Sequence, residues 1–426
     1  MGDDAVAAFL HFGYVPRRDG DLLERIAAAL SAPAEKRVDD FVRTGTGVLT
    51  SCFAPPDGRL HVVPLSGGLD SRAVLAGLLG AGVKDSVVAV TVGTPGTFDF
   101  EIARQVATRA HVRHELIDLR TVEHDAESLE SALVASDATS WAFDVFYHRL
   151  IPARFGHSAT YWSGFLGGEV AGSHFVVGSP DSWPGAVRGF VDHARFCAGP
   201  AVSGPARRLD ALLPAEPPVP RELLSYGDQL DFGVRQDSYV RRTVVVEGYD
   251  YQTPFLYEPW LRFMLSVPPD LRQGEALFKR ILTATYPDLF SLPTKNTAGL
   301  PLGAGSAAVT GRIRLMRAEA ALRHGSLSQI MRGASPLPFK MLNYLDFPAA
   351  LRDKADVRET VLELVTALDR RALAGVARGV RLWEQLRRNR GATDLACAVT
   401  LLASLELNLR ADGRRPRPLF GAYGDA

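Results

Sequence analysis

Residues Ser66 to Ser71 read SGGLDS, between the apolar-rich run Arg59–Leu65 and the helix-like run Arg72–Leu79. This succession of strand, glycine turn and helix constrains the chain more than any other feature. Two adjacent glycines let backbone N–H groups approach an anion closely. The helix that follows adds unsatisfied amides and the positive end of its dipole. Ser66 and Ser71 contribute hydroxyls, and Gly67 and Gly68 open backbone. Asp70 is an acid in a cradle otherwise suited to anions, which makes sense if it holds a divalent cation that phosphates also bind. The kinase and GTPase loop G-x-x-x-x-G-K-[ST] occurs nowhere in the 426 residues, so the loop belongs to another class of phosphate binder.

Downstream, strand-like runs at Ser86–Gly93, His114–Leu119 and Ala159–Gly164 alternate with helix-like runs at Phe98–Ala110 and Val145–Ala153. Such alternation predicts βαβ units, a parallel sheet and ligands beyond the carboxyl ends of the strands. The chain divides into a short helical segment over 1–58, an α/β core over 59–176 and a Pro/Gly-rich insertion or linker over 177–222. A helical part over 223–305 and a helical C-terminal region over 306–426 follow, the latter ending in an Arg- and Pro-rich tail from Arg410. Within the last two, helices are expected at Asp228–Val245, Pro259–Val267, Glu275–Tyr286, Ala307–Arg323, Val357–Ala374 and Asp394–Leu409.

Hydrophobic content of 46% and charged content of 23% are those of an ordinary globular protein. Lys+Arg and Asp+Glu are both 48, which argues against a nucleic-acid partner. Cys52, Cys197 and Cys397 are odd in number and far apart, so no disulfide framework is expected and a reduced, cytoplasmic protein is. The acidic start MGDD is unlike a signal peptide. The longest apolar stretch, Ala396–Leu405, is about half a bilayer span, so no membrane is expected. His111 and His114 lack a third ligand for a metal.

Two further glycine-bearing motifs follow the loop: TVGTPGTFDFEIARQVA, Thr91–Ala107, and WSGFLGGEVAG, Trp162–Gly172. With SGGLDS, the three resemble the synthetase domain of asparagine synthetases and their relatives, including β-lactam synthetases and lasso-peptide macrolactam cyclases. These enzymes carry a pyrophosphate (PP) loop and split ATP into AMP and pyrophosphate. Tyr249–Pro268 (YDYQTPFLYEPWLRFMLSVP) resembles the family's E-x-R-x-PFLD segment. Lys279-Arg280 resembles its K-x-x-L-R helix, and Leu292–Leu302 (LPTKNTAGLPL) its lysine-bearing segment.

The resemblance implies an α/β fold of the PP-loop, adenine nucleotide alpha hydrolase-like type: a parallel sheet with helices on both faces, then a mostly helical C-terminal region. It also implies an amide-forming ligase that uses ATP and Mg²⁺. Leu65, Val92 and Gly93 would hold the adenine side; Ser66, Gly67, Gly68 and Ser71 the pyrophosphate; Ser163 and Gly164 the ribose and AMP side. Asp70, joined by Glu169, would hold magnesium. Lys295 would offset charge on the phosphate and tetrahedral intermediate, with Lys279 a second basic candidate and Asp250 a candidate base.

The departures are specific. Gly168 stands where the family pattern S-G-x-G-x-D-E has an acid; Gln252 replaces the arginine before PFL, and Tyr257 the aspartate after it. They point away from asparagine as the product. With 65 residues ahead of Ser66, no glutaminase domain is expected. The nitrogen would then come from free ammonia, a partner protein or an amine on the substrate. The expected partners are a small-molecule or peptide carboxylate and an amine or ammonia donor, with a homodimer as one option for assembly. Two other readings stay open: an RNA-modifying PP-loop enzyme and a catalytically impaired nucleotide-binding scaffold.

Overall fold

The computed structural model describes residues 1–31, 40–136, 139–174, 180–197, 209–324, 338–388, 393–412 and 414. Five strands form one parallel sheet: β1 (His61–Pro64), β2 (Val87–Gly93), β3 (Arg113–Asp118), β4 (Thr160–Trp162) and β5 (Asp250–Gln252), in the order β3-β2-β1-β4-β5. The apolar runs that make β1 and β2 are almost continuously buried, as parallel strands covered on both faces must be. Val63 and Ala89 face one core with Leu75, Ile102 and Val106; Val62, Val88 and Val90 face the other with Ile151 and Tyr161. Helices therefore cover both faces, and the α/β PP-loop architecture is the observed one.

The chain runs from β1 outward to β2 and β3, then returns to the other side of β1 for β4. That reversal puts a topological switch point between β1 and β4, where the two carboxyl ends leave a crevice. SGGLDS leaves β1 and SGFLGGE leaves β4, so both glycine motifs open onto the same crevice.

A second large core joins the N-terminal helix Asp3–Phe12 to Ala126–Ser136, Ala355–Arg371, Gly379–Arg388 and Thr393–Asp412. The stretch from Tyr226 to Val244 is one helical run whose middle, Asp231–Val240, widens to the π pattern. Among the described residues, no helix is long and apolar enough to cross a membrane.

Three expectations are corrected. Asp250, within the part over 223–305 expected to be helical, lies in β5, because its pairing with Thr160 of β4 supplies a ladder that three residues alone do not announce. Within 177–222, expected to have little regular structure, Trp183–His193 is a helix, with Pro184 in the first turn where its missing N–H is harmless; residues 177–179 and 198–208 of that segment lie outside the described residues. Cys197 and Cys397 form a disulfide with Cα atoms 6.0 Å apart. The helix Thr393–Asp412 returns to the start of the chain and places Cys397 beside Phe196, which spacing in the sequence could not show. The pair removes the argument for a reduced compartment that rested on the cysteines. Most of the tail after Asp412 lies outside the described residues.

Candidate active site

The loop is organised by its own serines. Ser71 Oγ accepts from Ser66 N–H at 3.0 Å and lies 3.0 Å from Ser66 Oγ, which accepts from Gly68 N–H at 3.3 Å. Gly67 is turned under, where a Cβ would meet the Phe98 carbonyl oxygen at 2.8 Å; its N–H donates to Asp99 Oδ1 at 3.1 Å. Gly68 faces more open space, its nearest neighbour lying 3.4 Å from a Cβ built there. Helix Asp70–Gly80 starts immediately afterwards.

The β4 loop presses on this helix start. A Cβ on Gly164 would lie 2.9 Å from Asp70 C and Ser71 N, and one on Gly167 would lie 2.6 Å from Asp70 Oδ1. The glycines thus serve close approach between two loops. Ser163 is anchored by its N–H to the Gln252 carbonyl at 2.9 Å.

Lys295 arrives from a hairpin of β6 (Pro293–Thr294) and β7 (Leu300–Pro301). Its backbone N–H donates to the Gly67 carbonyl at 2.9 Å, and Thr294 Oγ1 donates to the same oxygen at 3.2 Å. Lys295 Nζ donates to Asp99 Oδ2 at 2.5 Å and to Asn343 Oδ1. Arg72, fully buried one turn into the loop helix, fixes the approach: its guanidinium donates to the carbonyls of Leu289, Leu292 and Pro293 at 3.1, 3.3 and 2.7 Å. Burial lowers the Arg72 pKa to about 10, which leaves it charged at neutral pH.

These groups line one cavity of about 690 Å³, within the range of small-molecule sites. Leu65, Ser66, Gly68, Asp70, Ser71, Val92, Ser163, Gly164, Glu169 and Lys295 all border it, whereas Gly67 and Gly93 do not. A larger cavity of about 980 Å³, bordered by the helices Leu22–Ser31 and Trp183–His193, shares none of these residues, so chemistry rather than volume marks the site. The ladder between β1 and β2 ends at Pro64 and Val90, while β2 pairs with β3 as far as Gly93. The edge of Val92 on the β1 side is therefore left for another hydrogen-bonding partner. The Leu65 backbone is already engaged, its N–H with Val90 O at 2.8 Å and its carbonyl with Thr91 Oγ1 at 2.8 Å.

Asp70 borders the cavity with its Oδ1 buried and without a hydrogen-bond partner. Burial, then the nearby Glu169 and Glu275, push its pKa well above the ordinary carboxylate value. An oxygen donor with no protein partner fits a hard cation such as Mg²⁺, which takes carboxylate and phosphate oxygens together.

Besides Gly67 and Gly93, two catalytic candidates fall outside the cavity lining. Asp250 begins β5, at the end of the sheet opposite the loop; its carboxylate accepts from Thr160 Oγ1 at 2.8 Å and pairs with Arg59 at 3.1 Å. Lys279 donates to the Gly274 carbonyl at 2.7 Å and pairs with Glu275 at 3.3 Å, so it sits behind a carboxylate rather than in the pocket. Conversely, Asp99, Arg72 and Asn343 escaped the sequence reading. Asp99 was within a quoted motif, and Arg72 directly follows SGGLDS, but neither residue type announces its partner.

Residues 62–155 match the family model of asparagine synthase. The match runs from β1 through the helix Ala142–Phe155 and supports an ATP-dependent ligase of the asparagine synthase type. The β4 loop and the Lys295 hairpin lie beyond the matched residues, so their place in the site rests on the geometry above. No curated protein was found to match the chain.

Proposed function

We propose that the chain is an ATP-dependent amide-forming ligase that adenylates a carboxylic acid, releases pyrophosphate and passes the acyl group to an amine or ammonia. The observation that carries this reading is the convergence of the SGGLDS loop, the β4 glycine loop and Lys295 on one crevice at the β1/β4 switch point. The amides and hydroxyls of Ser66, Gly68 and Ser71 would hold the pyrophosphate portion, and the free edge of Val92 the adenine. A carboxylate oxygen attacks the α-phosphorus, the bond to the β-phosphate oxygen breaks, and pyrophosphate departs as an acyl-adenylate forms. The nitrogen nucleophile then attacks the acyl carbon and expels AMP.

Asp70 would hold Mg²⁺, which when bound neutralises phosphate charge. Lys295, held against the loop by Gly67 and aimed by Asp99, supplies positive charge toward the phosphate and the oxyanion. Keeping both reactants in one crevice supplies proximity. Gln252 and Tyr257, in place of the residues that the asparagine pattern carries, support an acyl substrate other than aspartate and a role in specialised metabolism.

The test is pyrophosphate release with a panel of amino acids, β-amino acids and short peptides. Turnover with one acid class, lost in Asp70→Asn and reduced by at least about tenfold in Lys295→Met, supports the proposal. An intact rate in Asp70→Asn would refute it.

A further inference from the structure

Magnesium is usually held by one or two carboxylates plus substrate phosphates. Asp70 supplies one carboxylate, and its neighbours raise the question of the second. Gly168, facing Asp70 from the β4 loop, has no side chain to offer. The space that a side chain there would enter is filled from elsewhere: a Cβ built on Gly168 lies 3.0 Å from Glu275 Oε1 and 3.4 Å from Asp70 Oδ2. Two carboxylate oxygens from segments two hundred residues apart therefore flank one point.

We infer that Glu275 is the second carboxylate of the magnesium site, delivered across the fold into the place that Gly168 leaves open. The inference rests on the ligase reading given above. Glu275 is 6% exposed. Its Oε2 pairs with Lys279 at 3.3 Å, and Lys279 is tied to the Gly274 carbonyl, so Lys279 is a positioning residue that turns Oε1 toward Gly168 and Asp70. Glu275 also takes a left-handed backbone conformation, φ 62°, directly after Gly274 at φ 58°. Glycine would suit that position better, yet a carboxylate occupies it.

Asp70 supplies the independent sign of a ligand: its Oδ1, on the Gly167 side, is buried with no protein partner, while Oδ2 of the same carboxylate faces Gly168 and Glu275. Among the described residues, no three acid, His or Cys side chains form a ready metal cage. A site of two carboxylates completed by phosphate oxygens requires none. Glu169 is the competing donor, since it borders the same cavity. Glu169 also acts on Asp70, alongside Glu275, and is itself acted on by His174, Asp231 and Arg235, which border a separate cavity. Glu275 is not part of the lining that includes Glu169, but it is the acid whose oxygen meets Asp70 Oδ2 across Gly168.

The test is Mn²⁺ binding in the presence of α,β-methylene-ATP, followed by electron paramagnetic resonance on the full chain. Glu275→Gln is expected to weaken Mn²⁺ binding by at least about tenfold, the lower bound for losing even an outer-shell partner. Asp288→Asn, at an exposed carboxylate outside the cavity, is expected to bind as the parent does. The exchange Glu275→Gly with Gly168→Asp, which removes the obstructing oxygen and returns a carboxylate from the other side, is expected to restore binding. A Glu275→Gln variant that binds Mn²⁺ normally, an exchange variant that stays defective, or a loss confined to Glu169→Gln would overturn the assignment. If the parent protein binds no Mn²⁺–nucleotide at all, the ligase reading itself fails, and this result is distinct because all variants then behave alike.

Discussion

Gly164→Ala is a stringent test of why the β4 loop is glycine-rich. The new methyl carbon would sit 2.9 Å from three atoms, Asp70 C, Asp70 Cβ and Ser71 N, two of them backbone. Ordinary contacts begin near 3.4 Å, so the β4 loop or the start of helix Asp70–Gly80 must retreat by roughly half an ångström. Overpacking of this kind costs about 1–3 kcal/mol. The shift falls on Ser71, whose hydroxyl holds Ser66 N–H, so the phosphate cradle is disturbed as well. Losing one charged hydrogen bond to ATP, about 1.5–3 kcal/mol, weakens binding by roughly 10- to 150-fold. Gly189→Ala is the matched control, since a Cβ there meets nothing within 4 Å. Inside the helix Trp183–His193 it should stabilise by up to about 1 kcal/mol. Urea unfolding and calorimetric ATP titration read both quantities. A Gly164→Ala protein as stable and as tight-binding as its parent would refute the close-approach argument.

Arg72→Met should cost about 2–4 kcal/mol in urea unfolding, because three carbonyls that accept from a buried guanidinium lose their donor; an unchanged midpoint would show that the Lys295 hairpin docks without it. Burial holds the pKa of His148 and of His114 down to about 4. The unfolded chain therefore binds more protons between about pH 6.5 and 4, so stability is full above 6.5 and falls as the pH drops through that window. For His148 alone this is worth up to roughly 3 kcal/mol, and denaturation midpoints across pH 4–7, compared with a His148→Gln variant whose pH slope is shallower, check it. Alkylation followed by mass spectrometry should find one reactive thiol, Cys52, before reduction and three after it. Reduction should lower stability by about 2–5 kcal/mol, and three free thiols from the outset would contradict the pairing.

Four of the five sheet strands were legible because apolar runs such as HVV and VVAV are long enough to declare themselves between glycine turns. The fifth was not: Asp250-Tyr251-Gln252 is three residues of mixed polarity, and only its register with Thr160–Trp162 makes it a strand. The same limit governed the site. Ser66, Gly68, Asp70, Ser71 and Lys295 could be named because local spacing or a motif carried them. Arg72, Asp99 and Glu275 could not, since each meets a partner between 32 and 221 residues away, and nothing in LDSR, FDF or RQGE states who that partner is. Asp250 failed for the opposite reason. An acid near a motif looks chemical until the register puts it at the far end of the sheet, paired with Arg59.

The central claim is that the crevice splits ATP between its α- and β-phosphates. Phosphorus NMR of a reaction containing ATP, magnesium, an accepted carboxylic acid and an amine reads it directly. The expected outcome is AMP and pyrophosphate in equal amounts, appearing only when the acid is present and absent in Asp70→Asn. Appearance of ADP and orthophosphate, or nucleotide cleavage indifferent to Asp70, would contradict it.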